Sequence, residues 1–211
     1  MYVSVLQEPR PLERRDDRSR FQSGNSEIDD WFHRFAWQNH SAGNARVFVT
    51  TQEPETLGFY ALAMGAVERS KLPDALKPGR RPDPCPILLL ARLAVDQRAQ
   101  GNGIGAVLLK DALSRAYKLS NDAGFAALLV HCADDRARDF YLHQSSQFVP
   151  CPEADNHLVL PLRALREFIV ALCGTPIGGQ YVRARDRNDP GPSQGQYQRC
   201  QISWHPRSRS P

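Results

Sequence analysis

The chain has 211 residues, enough for one domain with a substantial core, and its hydrophobic (41%) and charged (24%) fractions are those of an ordinary globular protein. The net charge of +4 is not in itself a sign of nucleic-acid binding, because the six arginines and two aspartates from Thr175 onward carry all of it and residues 1–174 are balanced. Five cysteines (Cys85, Cys132, Cys151, Cys173, Cys200) with no C-x-x-C pair argue against a disulfide framework or a metal site, and no apolar run has the length of a membrane span or the pattern of a signal peptide, so a cytoplasmic protein is expected.

The first element read from the pattern is a helix over NSEIDDWFHRFAWQNH (25–40), with Ile28, Trp31, Phe32, Phe35 and Ala36 on one face and Ser26 and Asp29 resembling a capping box. ARVFVTT and LGFYALAM read as strands joined by the turn QEPET, a hairpin. SKLPDALKPGRRPDPCP (70–86) carries five prolines and reads as a long loop. ILLLARLAV is a buried strand and GIGAVLLKDALSRAYKLS an amphipathic helix whose polar face holds Lys110, Asp111, Ser114, Arg115 and Lys118. FAALLVHC is a second buried strand, ADDRARDFYLHQ a short helix, HLVLPL a last strand and LRALREFIVALC a closing helix. The order predicts an α/β domain over residues 1–174, with helices flanking a mixed sheet. Residues 175–211, rich in Gly, Pro, Ser, Gln and Arg, lack an apolar period and are expected to form a disordered or loosely attached tail.

QGNGIGAVLL (100–109) places Gly101, Gly103 and Gly105 where a strand passes into a helix. Such a turn leaves the first helical N–H groups unpaired beside the positive end of the helix dipole, a site for a phosphate or pyrophosphate. It also suits a tight turn needing only positive φ, so the pattern alone decides nothing. No G-K-[ST] follows, and the spacing differs from the dinucleotide fingerprint.

Gln100-Gly101-Asn102-Gly103-Ile104-Gly105 resembles the Q/R-x-x-G-x-G/A pyrophosphate loop of the GNAT acetyltransferases. Phe21-Gln22-Ser23-Gly24-Asn25 with Ile28-Asp29-Asp30-Trp31-Phe32 resembles the F-x-C-G…L-D-x-W-L opening of one branch, the toxin acetyltransferases encoded beside a ribbon–helix–helix antitoxin. Leu57-Gly58-Phe59-Tyr60-Ala61-Leu62 is similar to its V-G-Y-Y-A-L strand, Ala91-Arg92-Leu93-Ala94-Val95-Asp96 to its G-R-L-A-V-D strand, and Ala137 with Phe140-Tyr141 to its A-x-x-F-Y helix. The similarity runs from about residue 18 to 170 with the motifs in order. Ser23 stands where the branch often has cysteine. LHQSSQF after Tyr141 departs from F-Y-x-x-x-G-F by two extra residues and by Gln147 at the glycine, which predicts a displaced helix end and a shifted wall of the acyl site.

The resemblance implies the GNAT fold, with two splayed central parallel strands, and an acetyl-CoA-dependent N-acetyltransferase. It places the pantetheine arm along Leu93, Ala94 and Val95, the pyrophosphate on the amides of residues 100–105, and Ala137 and Phe140 against the cofactor. The Val95 N–H is then the oxyanion donor, and Tyr141 the acid that protonates the leaving thiolate. Taken alone, a Phe-Tyr pair on an amphipathic helix also reads as core packing. The branch implies acetylation of the α-amine of aminoacyl-tRNA, which blocks translation, with an antitoxin as inhibitor and a homodimer as the assembly. An α-amine near pKa ~7.7 is partly neutral at pH 7 and needs no strong base, in keeping with the lack of an obvious one; Asp96 and Asp134 remain alternatives. Candidate tRNA contacts are Arg34, Arg46, Lys77, Arg80, Arg81 and Arg92, although the loop residues equally read as solvated surface. His131 is expected to be structural. Two other readings stay open: acetylation of a small-molecule or protein amine, and a degenerate copy that binds coenzyme A without turnover.

Overall fold

In the computed structural model, residues 6–52, 54–77, 79–152 and 154–173 are described, and the tail expected over 175–211 lies outside them. Asn25, rather than Ser26, caps the first helix, α1 (Ser26–Arg34), because its side chain accepts from the N–H groups of Glu27 and Ile28. Asp29 turns back instead to the N–H and hydroxyl of Ser23, at 2.8 and 2.6 Å. The expected single helix breaks at Phe35 and continues as α2 (Ala36–Ala42), which closes on Gly43 at φ 78°. The break turns Phe35 outward, 40% exposed under the Arg34 guanidinium, while Phe32 and Ala36 stay buried.

Seven strands form one sheet: β1 (Arg10–Pro11), β2 (Arg46–Gln52), β3 (Glu55–Val67), β4 (Cys85–Val95), β5 (Ala127–His131), β6 (Val149–Cys151) and β7 (Ala154–Pro161), in the spatial order β1-β2-β3-β4-β5-β7-β6. All neighbours are antiparallel except β4 and β5. The two short strands, β1 and β6, had no pattern long enough to read. The crossover between the parallel pair is α3 (Ile104–Leu119), and α4 (Asp135–Gln144) and α5 (Leu162–Cys173) follow β5 and β7. The proline-rich stretch holds two single 3₁₀ turns, Arg69–Lys71 and Asp74–Leu76, which bury Leu72 and Leu76.

One face of the sheet carries Tyr60, Leu62, Leu88, Leu90, Leu128, Val130 and Leu158, packed under Leu108, Leu109, Ala112 and Leu113 of α3 and Leu165 and Ile169 of α5. The opposite face is split: Val47, Val49, Phe59, Ala61 and Ala94 lie under α1 and α2 with Phe21 and Phe32, and Ile87, Leu129 and Val159 lie under Leu72 and Leu76. Phe32 stacks on Phe59 with ring centroids 3.9 Å apart.

The sheet opens at one place. β4 and β5 pair only over Leu88–Leu90 and Leu128–Val130, yet β4 runs five residues further. At that point β4 carries a bulge: Ala61 pairs with Arg92 and Leu62 with Leu90, so Ala91 is the extra residue. A bulge bends its strand and shifts the side-chain alternation by one. Leu88 and Leu90 therefore face α3, whereas Arg92 and Ala94 face α1.

LHQSSQF is accommodated without a glycine. α4 continues to Gln144, Ser145 is extended, and a turn closed from Phe148 N–H to the Ser145 carbonyl (3.4 Å) returns Phe148 to the core against Tyr141. Glycines alone adopt positive φ among the described residues, so Gln147 needs no left-handed conformation. No helix among the described residues is long and apolar enough to cross a membrane.

Candidate active site

The gap between β4 and β5 is the mouth of a cavity of about 560 Å³. Arg92, Leu93, Ala94, Val95, Gln100, Gly101, Gly103, Ile104, Gly105, Ala137, Phe140 and Tyr141 all line it, so segments 50 residues apart in sequence meet in one cleft. Asn102 does not line it; its side chain donates to the Ala99 carbonyl at 3.3 Å and so braces the turn from behind.

β4 offers its backbone to the cleft. The Asp96 N–H donates to the Leu57 carbonyl at 2.9 Å, so alternation along an antiparallel pair turns the N–H and C=O groups of Leu93 and Val95 away from β3, toward the space β5 has left. The Val95 carbonyl accepts from the Gln100 side chain at 3.0 Å, and the same amide nitrogen donates to the Ser23 carbonyl at 2.9 Å. Gln100 therefore holds the loop in place with its side chain.

Gly103 is the N-cap of α3 at φ 80°, and with no side chain to cap the helix, its first N–H groups face the cavity with the positive end of the helix dipole behind them. Gly101 at φ 79° is the other left-handed position of the turn. A Cβ at either would touch nothing within 4 Å, so both glycines answer to backbone conformation and to a bare approach from outside.

Tyr141 is buried, packed edge-on against Phe140 (5.2 Å) and tilted against Phe148 (5.8 Å). Burial, reinforced by the neighbouring Cys132, pushes its phenol well above the ordinary value, so it stays protonated at every physiological pH. Burial likewise lifts the Cys132 thiol to about 11, against a lowering influence from Arg138, so it is no nucleophile at neutral pH. Arg92 sits half-buried with its guanidinium 4.5 Å over the Trp31 ring. Desolvation draws its pKa down and Glu27 opposes this, and no carboxylate among the described residues lies within ion-pair distance.

Neither aspartate named from the sequence is a free base. Asp96 is fully buried outside the cavity and binds Arg98 through both oxygens, at 2.8 and 3.0 Å. Asp134 lines the cavity but caps α4, accepting the Ala137 N–H at 2.7 Å.

The acetyltransferase (GNAT) family pattern matches residues 10–145, nearly two thirds of the chain. The chain belongs to the GNAT acetyltransferases. The tRNA-acetylating toxin of Mycobacterium tuberculosis is 39% identical over 167 residues, covering 79% of this chain and 99% of the relative. Among solved structures, AtaT complexed with acetyl-methionyl-tRNAfMet superposes with a TM-score of 0.69 at 27% identity, over 78% of this chain and 99% of AtaT. AtaTR bound with AcCoA gives 0.67 at 26% identity, over 77% and 97%.

In this GNAT chain the remaining basic candidates do not reach the cavity. Lys77 pairs with Asp74 at 2.8 Å, and Arg80 and Arg81 are exposed on the loop that enters β4 at Cys85, the end remote from the glycine turn. Arg34 pairs with Asp30 at 3.2 Å, and Arg46 is exposed at the start of β2. The structure adds lining residues that the sequence did not single out for the site: Ser23, Asn25, Glu27 and Ile28 from the entry to α1, His131, Cys132 and Arg136 from the end of β5 and the start of α4, and Asn156 from β7. The Phe21–Asn25 motif was a signal for the first group. For the rest there was none, since FAALLVHC gives no mark of where its pairing to β4 stops.

Proposed function

We propose that this protein transfers the acetyl group of acetyl-CoA to the α-amine of an aminoacyl-tRNA. The observation that carries the reading is a cleft passing between two parted parallel strands, with uncapped helical amides and a buried phenol toward α3 and an arginine stacked on Trp31 toward α1. The family membership and the relative named a tRNA-acetylating toxin support the same substrate class.

The amides of α3 hold the pyrophosphate, and the outward N–H and C=O groups of Leu93 pair with an amide of the pantetheine arm as an added strand would, which leaves the Val95 N–H for the thioester. The Val95 N–H stands where the carbonyl oxygen gains charge as the amine attacks. Tyr141 then gives its proton to the departing thiolate. Its raised pKa does not disqualify it, because the thiolate loses hydration in the same cleft and becomes more basic in step. Arg92 offers the tRNA end a cation on the side from which the amine arrives.

The reading extends, on the motif resemblance, to a ribbon–helix–helix antitoxin as inhibitor and to a homodimer. Co-purification with the product of an adjacent reading frame and sedimentation of the purified chain test these. The central test is incubation with labelled acetyl-CoA and total tRNA, charged or deacylated beforehand. Label is expected in the charged sample alone. Label in neither, with small amines acetylated instead, overturns the substrate class.

A further inference from the structure

His131 is the last residue of β5 and the first beyond Val130, where pairing to β4 ends, so it stands at the apex of the cleft. Its neighbours Val130 and Cys132 point into the core under α3, which by strand alternation sends the His131 side chain to the opposite face, the one where Arg92 lies. It lines the cavity, is solvent-exposed, and stacks on His157 across the β5–β7 pair with ring centroids 4.5 Å apart at 25°. The stack fixes the ring plane, and among the described residues nothing hydrogen-bonds to its nitrogens. Of the carboxylates lining the same cavity, Asp134 is committed to its helix cap and Glu27 lies on the first turn of α1 beside Arg92.

We infer that His131 is the general base of the reaction, accepting the proton of the attacking amine on the face of the sheet opposite the phenol of Tyr141. The inference rests on the aminoacyl-tRNA reading above. The amine nitrogen bonds to the thioester carbon and gives its proton to an imidazole nitrogen; the C–S bond breaks and the sulfur takes the Tyr141 proton; solvent then returns a proton from His131 to Tyr141. An imidazole nitrogen is a stronger proton acceptor than a carboxylate and so suits the proton of an attacking amine better. Among the described residues, the ring stacks on His157 of β7, and the other charged or titratable groups lining the same cavity are Arg92 on β4, Glu27 on α1, Cys132, Asp134 and Arg136 after β5, and Tyr141 on α4. Burial and the adjacent His131 lower the His157 pKa, so His157 is the partner that stays uncharged and serves as a stacking surface for the His131 ring.

The test compares wild type, His131→Gln and His131→Ala for acetyl transfer to charged tRNA across pH 5.5–8.5, with acetyl-CoA affinity measured by calorimetry. Expected are a fall in kcat of about a hundredfold in both variants, unchanged acetyl-CoA affinity, and recovery of His131→Ala by added imidazole. The acid limb of log kcat/KM approaches a slope of two in wild type, for amine and imidazole, and one in His131→Gln. Wild-type kcat in both variants, or a loss that imidazole leaves untouched while acetyl-CoA binding falls with it, overturns the assignment and leaves the substrate reading intact. A wild-type protein that labels no charged tRNA removes both.

Discussion

Tyr141 is held by rings on both sides, so its hydroxyl can be removed without disturbing its place. Tyr141→Phe is expected to lower kcat at least a hundredfold, with acetyl-CoA affinity within about threefold and a Tm equal to or slightly above wild type, because the buried phenol costs desolvation. Steady-state kinetics beside a melting curve check both halves; equal kcat in the two proteins rejects the acid role. Arg92 is a different case, a cation stacked on Trp31 that feels Glu27 but makes no ion pair among the described residues. Arg92→Gln is expected to raise KM for charged tRNA about tenfold and to reduce the slope of log affinity against log salt by about 0.7–0.9, the loss of one phosphate contact. An unchanged salt slope rejects that role. The motif residues of the cleft were legible because strand, glycine turn and Phe-Tyr helix each leave a local mark. Side-chain roles were less so: Gln100 uses its side chain on Ser23 and Val95, and His131, the proposed base, reads as the polar end of an apolar run until the strand beside it is seen to leave.

Elements were read well where a long apolar period dictated them and poorly where a single residue decides. β4 and α3 lie where the pattern put them, but the break at Phe35 and the bulge at Ala91 are set by packing, since an unbroken α1 would carry Phe35 toward the core and an unbulged β4 would turn Arg92 under α3. Gly58 is another such residue. α3 lies so close over β3 that a Cβ at Gly58 would come within 2.8 Å of Leu108 Cδ1 and 3.3 Å of the Ala94 carbonyl oxygen. In Gly58→Ala the Leu108 side chain and Ile104, whose Cγ2 would lie 3.3 Å from the new Cβ, must give way, which is expected to shift the start of α3 and the amides proposed to take the pyrophosphate. The expected outcome is a loss of about 1–3 kcal/mol in stability, a fall in Tm of about 3–10 °C, and weaker acetyl-CoA binding than the stability loss alone explains. Binding that survives intact separates α3 position from cofactor affinity and sinks the prediction.

Across the whole molecule, the two sides of the cleft are fastened at one knot. The Gln22 N–H donates to Asp96 at 3.2 Å, the Gln97 N–H to the Gln22 carbonyl at 2.7 Å, and the Gln100 side chain to the Ser23 carbonyl, so the segment before α1 is tied to the link between β4 and α3. Arg98 closes the knot, reaching from Asp96 to Glu55 at 2.8 Å. Asp96 is its buried member, and despite the raising influence of burial, its contacts with Arg98 and the Arg98 and Gln22 N–H groups hold its pKa below the ordinary carboxylate value. A carboxyl depressed in the folded state stabilises fully above its unfolded pKa, near ~3.9, and that contribution disappears as pH falls through the folded value. Because Arg98 is half in solvent, the loss in Asp96→Asn is set at about 2–3 kcal/mol, below the range for a fully buried pair. Urea titrations should therefore show the variant weaker at pH 7 by that amount, with the gap to wild type shrinking steadily below pH 4 as wild-type Asp96 takes up its proton. A constant gap down to pH 3 would mean that the carboxylate charge is not what holds the knot, and that the cleft owes its spacing to the apolar contacts of Phe21, Phe32 and Phe59 alone.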